Sequence, residues 1–324
     1  MQNEIFNIQT SEEFTKVALQ VFKHQFKNNK VYRSFCDLLY VHPSDVKTIK
    51  QIPFLPIQFF KSKKVLSSSD EIQETFSSSG TTGSITSKHL VTDLSWYENS
   101  YLKGFNHFYG NIEDYVVLAL LPNYLERKGS SLVYMVDDLI KKSKQTESGF
   151  YLDNLDELTK KLIKLDKKGQ KVLLIGVSFA LLDLIEQHKF NLKNTIIMET
   201  GGMKGRRKEL IRNELHRTLG DGFGLDVIHS EYGMTELLSQ GYSKGNGVFN
   251  CPPWMKFLTR DTEDALTILP KGKSGGINVI DLANYNSCSF IATQDLGKVN
   301  TDNSFEIIGR FDNSDIRGCN LMVL

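Results

Sequence analysis

One stretch of this chain concentrates groups that can hold a phosphate, and three more, farther along, carry residue types that could do chemistry. The first, ETFSSSGTTGSITSKHL at 74–90, sets the hydroxyls of Ser77, Ser78, Ser79, Thr81 and Thr82 around Gly80 and Gly83, with Lys88 just beyond. Glycine lets backbone N–H groups approach an anion closely, hydroxyls add donors, and a lysine can screen phosphate charge. Ser/Gly-rich composition alone would equally describe a slack linker, and Lys88 alone a surface lysine. The second stretch, HSEYGMTELLSQG at 229–241, carries Tyr232, Thr235 and Glu236, and a glutamate is the ligand a hard divalent ion takes together with phosphate oxygens. The third, TQDLGKV, holds Asp295, and the fourth, IIGRFDNSDIRG, holds Arg310.

Other phosphate and nucleophile signatures fall short. No stretch has the Walker spacing, and GDGFGLD has the wrong spacing for a dinucleotide fingerprint and follows a helical pattern. Gly176-Val177-Ser178-Phe179-Ala180 is close to a nucleophile elbow, which would make Ser178 the nucleophile of a serine hydrolase. That reading needs an acid and then a histidine downstream, and His229 is the last histidine of the chain. A serine at an ordinary strand-to-helix turn is the stronger expectation.

The elements that must position these groups follow from the apolar pattern. The first forty residues read as helices, with Ser11 as a cap, and QIPFLPIQFF, interrupted by Pro53 and Pro56, reads as extended. Strands are expected at 115–121, 172–175, 195–198 and 226–228. They alternate with helices, one through Leu181, Leu182 and Ile185 and one whose face is Leu210, Ile211, Leu215 and Leu219. Strands alternating with helices predict an α/β fold with much parallel sheet; beyond Glu236 the Gly-rich pattern predicts a β-rich part.

Composition bounds the rest. The 324 residues are 40% hydrophobic and 24% charged with a formal net charge of +1, which points to neither a nucleic-acid scaffold nor an acidic-lipid binder. Lys61, Lys63, Lys64 and the run Gly205 to Lys208 read as solvated faces. The longest apolar runs are too short for a membrane span or are broken by Asp183, the start lacks a signal-peptide pattern, and Cys36, Cys251, Cys288 and Cys319 have no paired spacing. The expectation is a cytoplasmic protein without a disulfide framework or zinc site.

In their order and wide spacing, the four stretches resemble the adenylate-forming superfamily of acyl-CoA synthetases and firefly-type luciferases. SSGTTG, YGMTE, the D-L-G of Asp295 and GRFDN stand where that family has its phosphate loop, its YGxTE motif, its D-x-G and its GRxDD hinge. The resemblance implies the family's large N-terminal α/β domain and the use of ATP and Mg²⁺. It assigns the loop Ser78, Ser79, Gly80, Thr81, Thr82 and Gly83, with Lys88, to the phosphates, and Gly201 and Gly202 to an adenine wall. Tyr232 would stack on adenine, Thr235 meet the α-phosphate, Glu236 hold Mg²⁺, Asp295 take the ribose hydroxyls, and Arg310 reach the ribose or phosphate.

The chain departs from most of that superfamily by stopping at Leu324, soon after the hinge, where a small lid domain would follow. The expected division is therefore a core over 1–311 and a tail over 312–324 in place of the lid. One short branch, similar also in the Ile52 to Lys61 run, is the acyl-protein synthetase (LuxE) of the bacterial fatty-acid reductase, which passes its acyl group to a cysteine near its own C-terminus. Cys319 stands in the matching place here. The implied function is ATP-dependent activation of a fatty or aryl acid followed by transfer to a thiol, with an acyl reductase or acyl-transferase protein as a further partner. The alternatives are a lid-less acyl- or aryl-CoA ligase and a non-catalytic nucleotide-binding subunit.

Overall fold

The structure, a computed structural model, describes residues 1–78, 85–122, 129–152, 154–201, 207 and 210–311. The chain opens with three helices, α1 (Gln2–Phe6), α2 (Ser11–Asn28) and α3 (Lys30–Leu38). The cap of α2 is Thr10, not Ser11: the Thr10 hydroxyl accepts from Glu13 N while the Glu13 side chain returns to Thr10 N, a reciprocal box that Ser11 cannot make from inside the helix. The proline-interrupted run is extended only in part. It forms β1 (Leu55–Pro56), then turns into the short α4 (Phe59–Ser62), since nothing after Pro56 forbids helical dihedrals.

A two-stranded hairpin follows, β2 (Glu74–Ser77) and β3 (Lys88–Val91). Next come α5 (Ser95–Tyr109), β4 (Val116–Leu120), α6 (Ser131–Ser143), β5 (Gly149–Tyr151) and α7 (Leu155–Lys167). The alternation continues with β6 (Val172–Val177), α8 (Ser178–Gln187), β7 (Thr195–Thr200), α9 (Arg212–Phe223) and β8 (His229–Tyr232). After that the described residues form strands, with one 3-10 turn at Leu282–Asn284: β9 (Gly241–Ser243), β10 (Val248–Asn250), β11 (Met255–Arg260), β12 (Ser274–Asp281), β13 (Phe290–Val299) and β14 (Phe305–Arg310).

The strands join one mixed sheet in the order β11-β12-β13-β14-β10-β9-β8-β7-β6-β4-β5, with β1 paired parallel to β13. From β8 to β5 neighbours are parallel; from β8 to β11 they are antiparallel. Every residue of β4 and β6 is buried, as expected of parallel strands covered on both faces. Two adjacent residues of β8 show which helices cover which face. The Tyr109 hydroxyl of α5 meets His229 Nδ1 at 3.1 Å, and His216 of α9 meets the Ser230 hydroxyl at 3.2 Å. Successive strand residues point to opposite faces, so α5 and α9 flank the sheet from opposite sides.

Two expectations for this region change. The strand lies at His229–Tyr232 rather than at 226–228, because α9 runs to Phe223, Gly224 caps it with φ +73°, and the chain must still cross the sheet edge before pairing Met198 with His229. Ile211 does not share the buried face of Leu215 and Leu219; it is the residue before α9 and is 72% exposed.

Candidate active site

The described ends of the hydroxyl-rich stretch pair as a hairpin. Its stem pairs Ser77 with Lys88 across β2 and β3. It continues one residue further: Ser78 N donates to Ser87 O at 3.1 Å, and Ser87 N donates to Ser78 Oγ at 2.9 Å. Ser79, Gly80, Thr81, Thr82 and Gly83 lie outside the described residues. On β3 the alternation buries Ser87 and His89 and leaves Lys88 exposed. Lys88 thus stands on the other side of the strand from the two residues that face the Thr235–Glu236 turn.

The Tyr232, Asp295 and Arg310 predicted from separate motifs meet. Tyr232 ends β8, and its hydroxyl donates to Asp295 Oδ2 at 2.7 Å. Asp295 pairs with Arg310 across β13 and β14, and Arg310 Nε lies 3.5 Å from Asp295 Oδ1. Arg310 is 68% exposed while Asp295 is nearly buried, so the carboxylate is the fixed partner and the guanidinium reaches in from solvent. Burial pushes the Asp295 carboxyl up; Tyr232, Arg310 and Arg260 oppose it. Arg260 is buried beneath, donating to the carbonyls of Ile277 and Thr293 at 2.6 Å, against Gly276, whose missing side chain leaves room for the guanidinium. The Tyr232 ring is packed edgewise by Phe249, Phe257 and Phe305 with centroids 5.8–6.1 Å away.

Glu236 sits in the turn between β8 and β9, where the sheet changes from parallel to antiparallel. Ligands of α/β sheets gather at such carboxyl ends of parallel strands. The turn is held from below by a buried polar set. Asn284 Nδ2 donates to Glu236 O at 2.7 Å, and the N–H groups of Leu238 and Ser239 both donate to Asp281 Oδ2 at 2.9 Å. Burial raises the Glu236 carboxyl above its ordinary range, while the Ser87 hydroxyl and the charges of Arg310 and Lys61 pull it back. Thr235 presents its carbonyl to His89 Nδ1 at 2.9 Å.

Gly201 follows β7 with φ +69°, a left-handed conformation that suits glycine. Its carbonyl accepts from Ser178 Oγ at 2.7 Å. Ser178 is 1% exposed and its other near neighbour is Glu199 at 3.2 Å, so the serine seats the Gly201 turn and does not present a nucleophile. Burial works to raise Glu199, but His216, Arg212 (3.0 Å away) and Ser230 outweigh it and the carboxyl is held low. Gly202, the second residue of the expected adenine wall, lies outside the described residues, as does Cys319.

The structure therefore brings Ser78, Gly201, Tyr232, Thr235, Glu236, Asp295 and Arg310 to one end of the sheet. Among the described residues no group of three or more His, Cys, Asp or Glu could hold a metal ion, so a divalent ion here would depend on Glu236 together with oxygens from outside the chain. Ser87, His89, Arg260, Asp281 and Asn284 are supports that sequence reading missed. Each is a polar residue whose sequence neighbours give no sign of its partner, and only the fold brings them beneath the motifs. No helix among the described residues is long and apolar enough to cross a membrane.

Comparison with known proteins gives the chain a family and a fold. The model of the family "Acyl-protein synthetase, LuxE" matches residues 4–98 and 133–324. A long-chain-fatty-acid–luciferin-component ligase of Vibrio harveyi is 24% identical over 98% of this chain and 89% of its own length, and its counterpart in Aliivibrio fischeri is 24% identical over 94% and 86%. Among solved structures, 2-hydroxyisobutyryl-CoA ligase in its postadenylation state superposes with a TM-score of 0.71 at 12% identity, over 93% of this chain and 68% of that one. ATP-bound MatB from Rhodopseudomonas palustris gives 0.56 at 18% identity, over 75% of this chain and 49% of that one, so the match spans about half the length of that enzyme. These two likenesses bear on the fold, which is that of the large domain of adenylate-forming ligases.

Proposed function

Since the chain belongs to the acyl-protein synthetase (LuxE) family, we propose that it activates a carboxylic acid, of the fatty class, as its acyl-adenylate and then passes the acyl group to a thiol. The observation that carries this reading is the convergence of Tyr232, Asp295, Arg310 and Glu236, from three separate sequence motifs, at the carboxyl ends of the parallel strands. Such a set suits a nucleotide: an aromatic ring beside the base, a carboxylate for ribose hydroxyls, a cation within reach of both, and a carboxylate for a divalent ion. A bound Mg²⁺ would supply positive charge on the phosphate oxygens, held by Glu236.

In the first half-reaction a carboxylate oxygen of the acid bonds to the α-phosphorus of ATP. The bond to the bridging oxygen breaks, and pyrophosphate leaves with the electron pair. Charge grows on the phosphate oxygens, where Arg310, Thr235 and the loop from Ser78 to Gly83 would stabilise it. In the second, a thiolate attacks the acyl carbonyl and AMP departs. The three described cysteines are poor acceptors. Cys36 and Cys288 are buried and Cys251 donates to Met255 O at 3.0 Å. Burial pushes Cys36 and Cys251 up to about 12 and Cys288 higher. A thiol held protonated is a weak nucleophile, which leaves Cys319 or a thiol from outside the chain as the acceptor.

The test is acid-dependent exchange of labelled pyrophosphate into ATP across a panel of fatty and aryl acids. Exchange that appears only with an acid present supports adenylation and ranks the substrates. A pure, folded protein that binds ATP yet exchanges with no acid would instead be a nucleotide-binding subunit.

A further inference from the structure

The inward side of β3 holds the Thr235–Glu236 turn at two neighbouring points. Ser87, at the foot of the hydroxyl-rich loop, lies against the Glu236 carboxyl, and His89, two residues on, bonds the Thr235 carbonyl at 2.9 Å. His89 is fully enclosed. Its Nε2 lies 2.8 Å from Ser287 Oγ, and the Phe60 ring meets it edgewise with centroids 5.6 Å apart. A carbonyl can only accept, so Nδ1 carries a proton; desolvation keeps the enclosed ring neutral, so Nε2 is the acceptor and takes the Ser287 hydroxyl, whose other acceptor, Asn284 O, lies farther off at 3.4 Å. The ring is therefore a neutral imidazole with one tautomer fixed by its two partners. Ser287 is fixed in turn: Asn29 Nδ2 and the Ser67 hydroxyl both donate to its carbonyl.

We infer that His89 is a positioning residue for adenylation: as the Nδ1–H tautomer it ties β3, and with it Ser78 and Ser87 at the mouth of the hairpin, to the Thr235 carbonyl, and so sets the spacing between these two hydroxyls and Glu236. This rests on the adenylation reading above. β2 and β3 form a sheet of their own, separate from the large sheet that carries β8. With no backbone ladder joining the two sheets, side-chain links fix the hairpin against the turn; among the described residues His89, itself enclosed, supplies one to the Thr235 carbonyl and Ser87 another to the Glu236 carboxyl. A donor–acceptor mismatch of an ångström at a charge-stabilising site lowers rate steeply.

The test compares His89→Ala, His89→Leu and His89→Asn, all measured well below their melting temperatures. Asparagine can return an N–H donor to the position of Nδ1; leucine fills the volume without one. In His89→Ala and His89→Leu the exchange kcat should fall by on the order of ten-fold or more and the KM for ATP should rise, while His89→Asn should recover to within about three-fold of wild type. Backbone amide exchange should quicken at 235–239 in the Leu variant and less so in Asn. Leucine and asparagine variants with equal exchange rates would mean the residue only fills space and would overturn the inference while leaving adenylation intact. A wild-type protein that binds ATP but exchanges with no acid would remove the adenylation reading itself and this inference with it.

Discussion

Tyr232 and Asp295 are 63 residues apart in the chain and joined by a 2.7 Å hydrogen bond across the end of the sheet. The bond orients the carboxylate so that Oδ2 is occupied and Oδ1 faces Arg310. Were ribose hydroxyls to bind here, Asp295 would accept from them without first having to be ordered, because Tyr232 and the Thr293 hydroxyl, which takes the Asp295 N–H at 3.1 Å, already hold it.

Asp295→Ala should therefore weaken ATP binding by on the order of ten-fold or more, the cost of a charge-assisted hydrogen-bond site. Tyr232→Phe removes only the orienting hydroxyl and should weaken binding by about two- to five-fold. Titration calorimetry with ATP checks both. An unchanged dissociation constant in Asp295→Ala would take the nucleotide away from this end of the sheet.

Glu236→Gln keeps the volume and loses the charge that a divalent ion would need. Acid-dependent pyrophosphate exchange should fall by on the order of 100-fold, comparable to removing one electrostatic stabiliser from a site where charge develops. Binding of ATP measured without Mg²⁺ should change little, since the lost charge acts through the ion. Exchange at the wild-type rate in the purified variant would end the assignment of Glu236.

The motif residues were legible because their chemistry demands particular types at set spacings, and the α/β alternation was legible because β4 and β6 are unbroken apolar runs. The strand His229–Tyr232 was not: its residues carry polar groups, and the buried Ser230 and Glu231 and the half-buried His229 and Tyr232 meet His216, Thr200, Tyr109 and Asp295 with hydrogen bonds. A hydrophobicity pattern cannot register a strand whose partners are polar and distant in sequence. Ser178 shows the converse. Its local pattern suggested a nucleophile, and only the Gly201 carbonyl above it, brought there by β7, shows what the hydroxyl does. His89, a lone histidine beside the expected phosphate lysine, carried no signal of its own.

Glu231, one residue before Tyr232, gives a pH signature. Burial first, with the charge of Glu199 adding to it against the Thr200 hydrogen bond, raises its carboxyl from 4.5 to about 7. The native chain then holds this proton where the unfolded chain has lost it. Stability from this group is complete below 4.5, falls as pH rises, and is gone above about 7. Glu231→Gln lacks the titration, so the stability of wild type relative to Glu231→Gln should drop between those pH values by up to about 3 kcal/mol. The enclosed His89 and the half-buried His229, both held near 4 by desolvation, act in the opposite sense but equally in both proteins and cancel in the difference. Parallel urea melts from pH 4 to pH 8 measure it; a difference that is flat with pH would show that Glu231 is ionised in the fold.

The acyl acceptor gives the last prediction. If the activated acyl group stays on the protein, labelled fatty acid plus ATP should label the chain through a bond that neutral hydroxylamine cleaves. Cys36, Cys251 and Cys288 are buried or hydrogen-bonded thiols with raised pKa values, so replacing any of them with serine should leave the label in place, at some cost in stability for the two in the core. Cys319→Ser should abolish the label and leave pyrophosphate exchange nearly intact, because the two half-reactions draw on different residues. For the transfer to occur, the sulfur must come within about 3–3.5 Å of the acyl carbonyl. Label that persists in Cys319→Ser and vanishes in Cys251→Ser would move the acceptor to the half-buried thiol beside Met255. Rapid acyl transfer to coenzyme A, with no protein label in the wild type, would instead make the acceptor a soluble thiol.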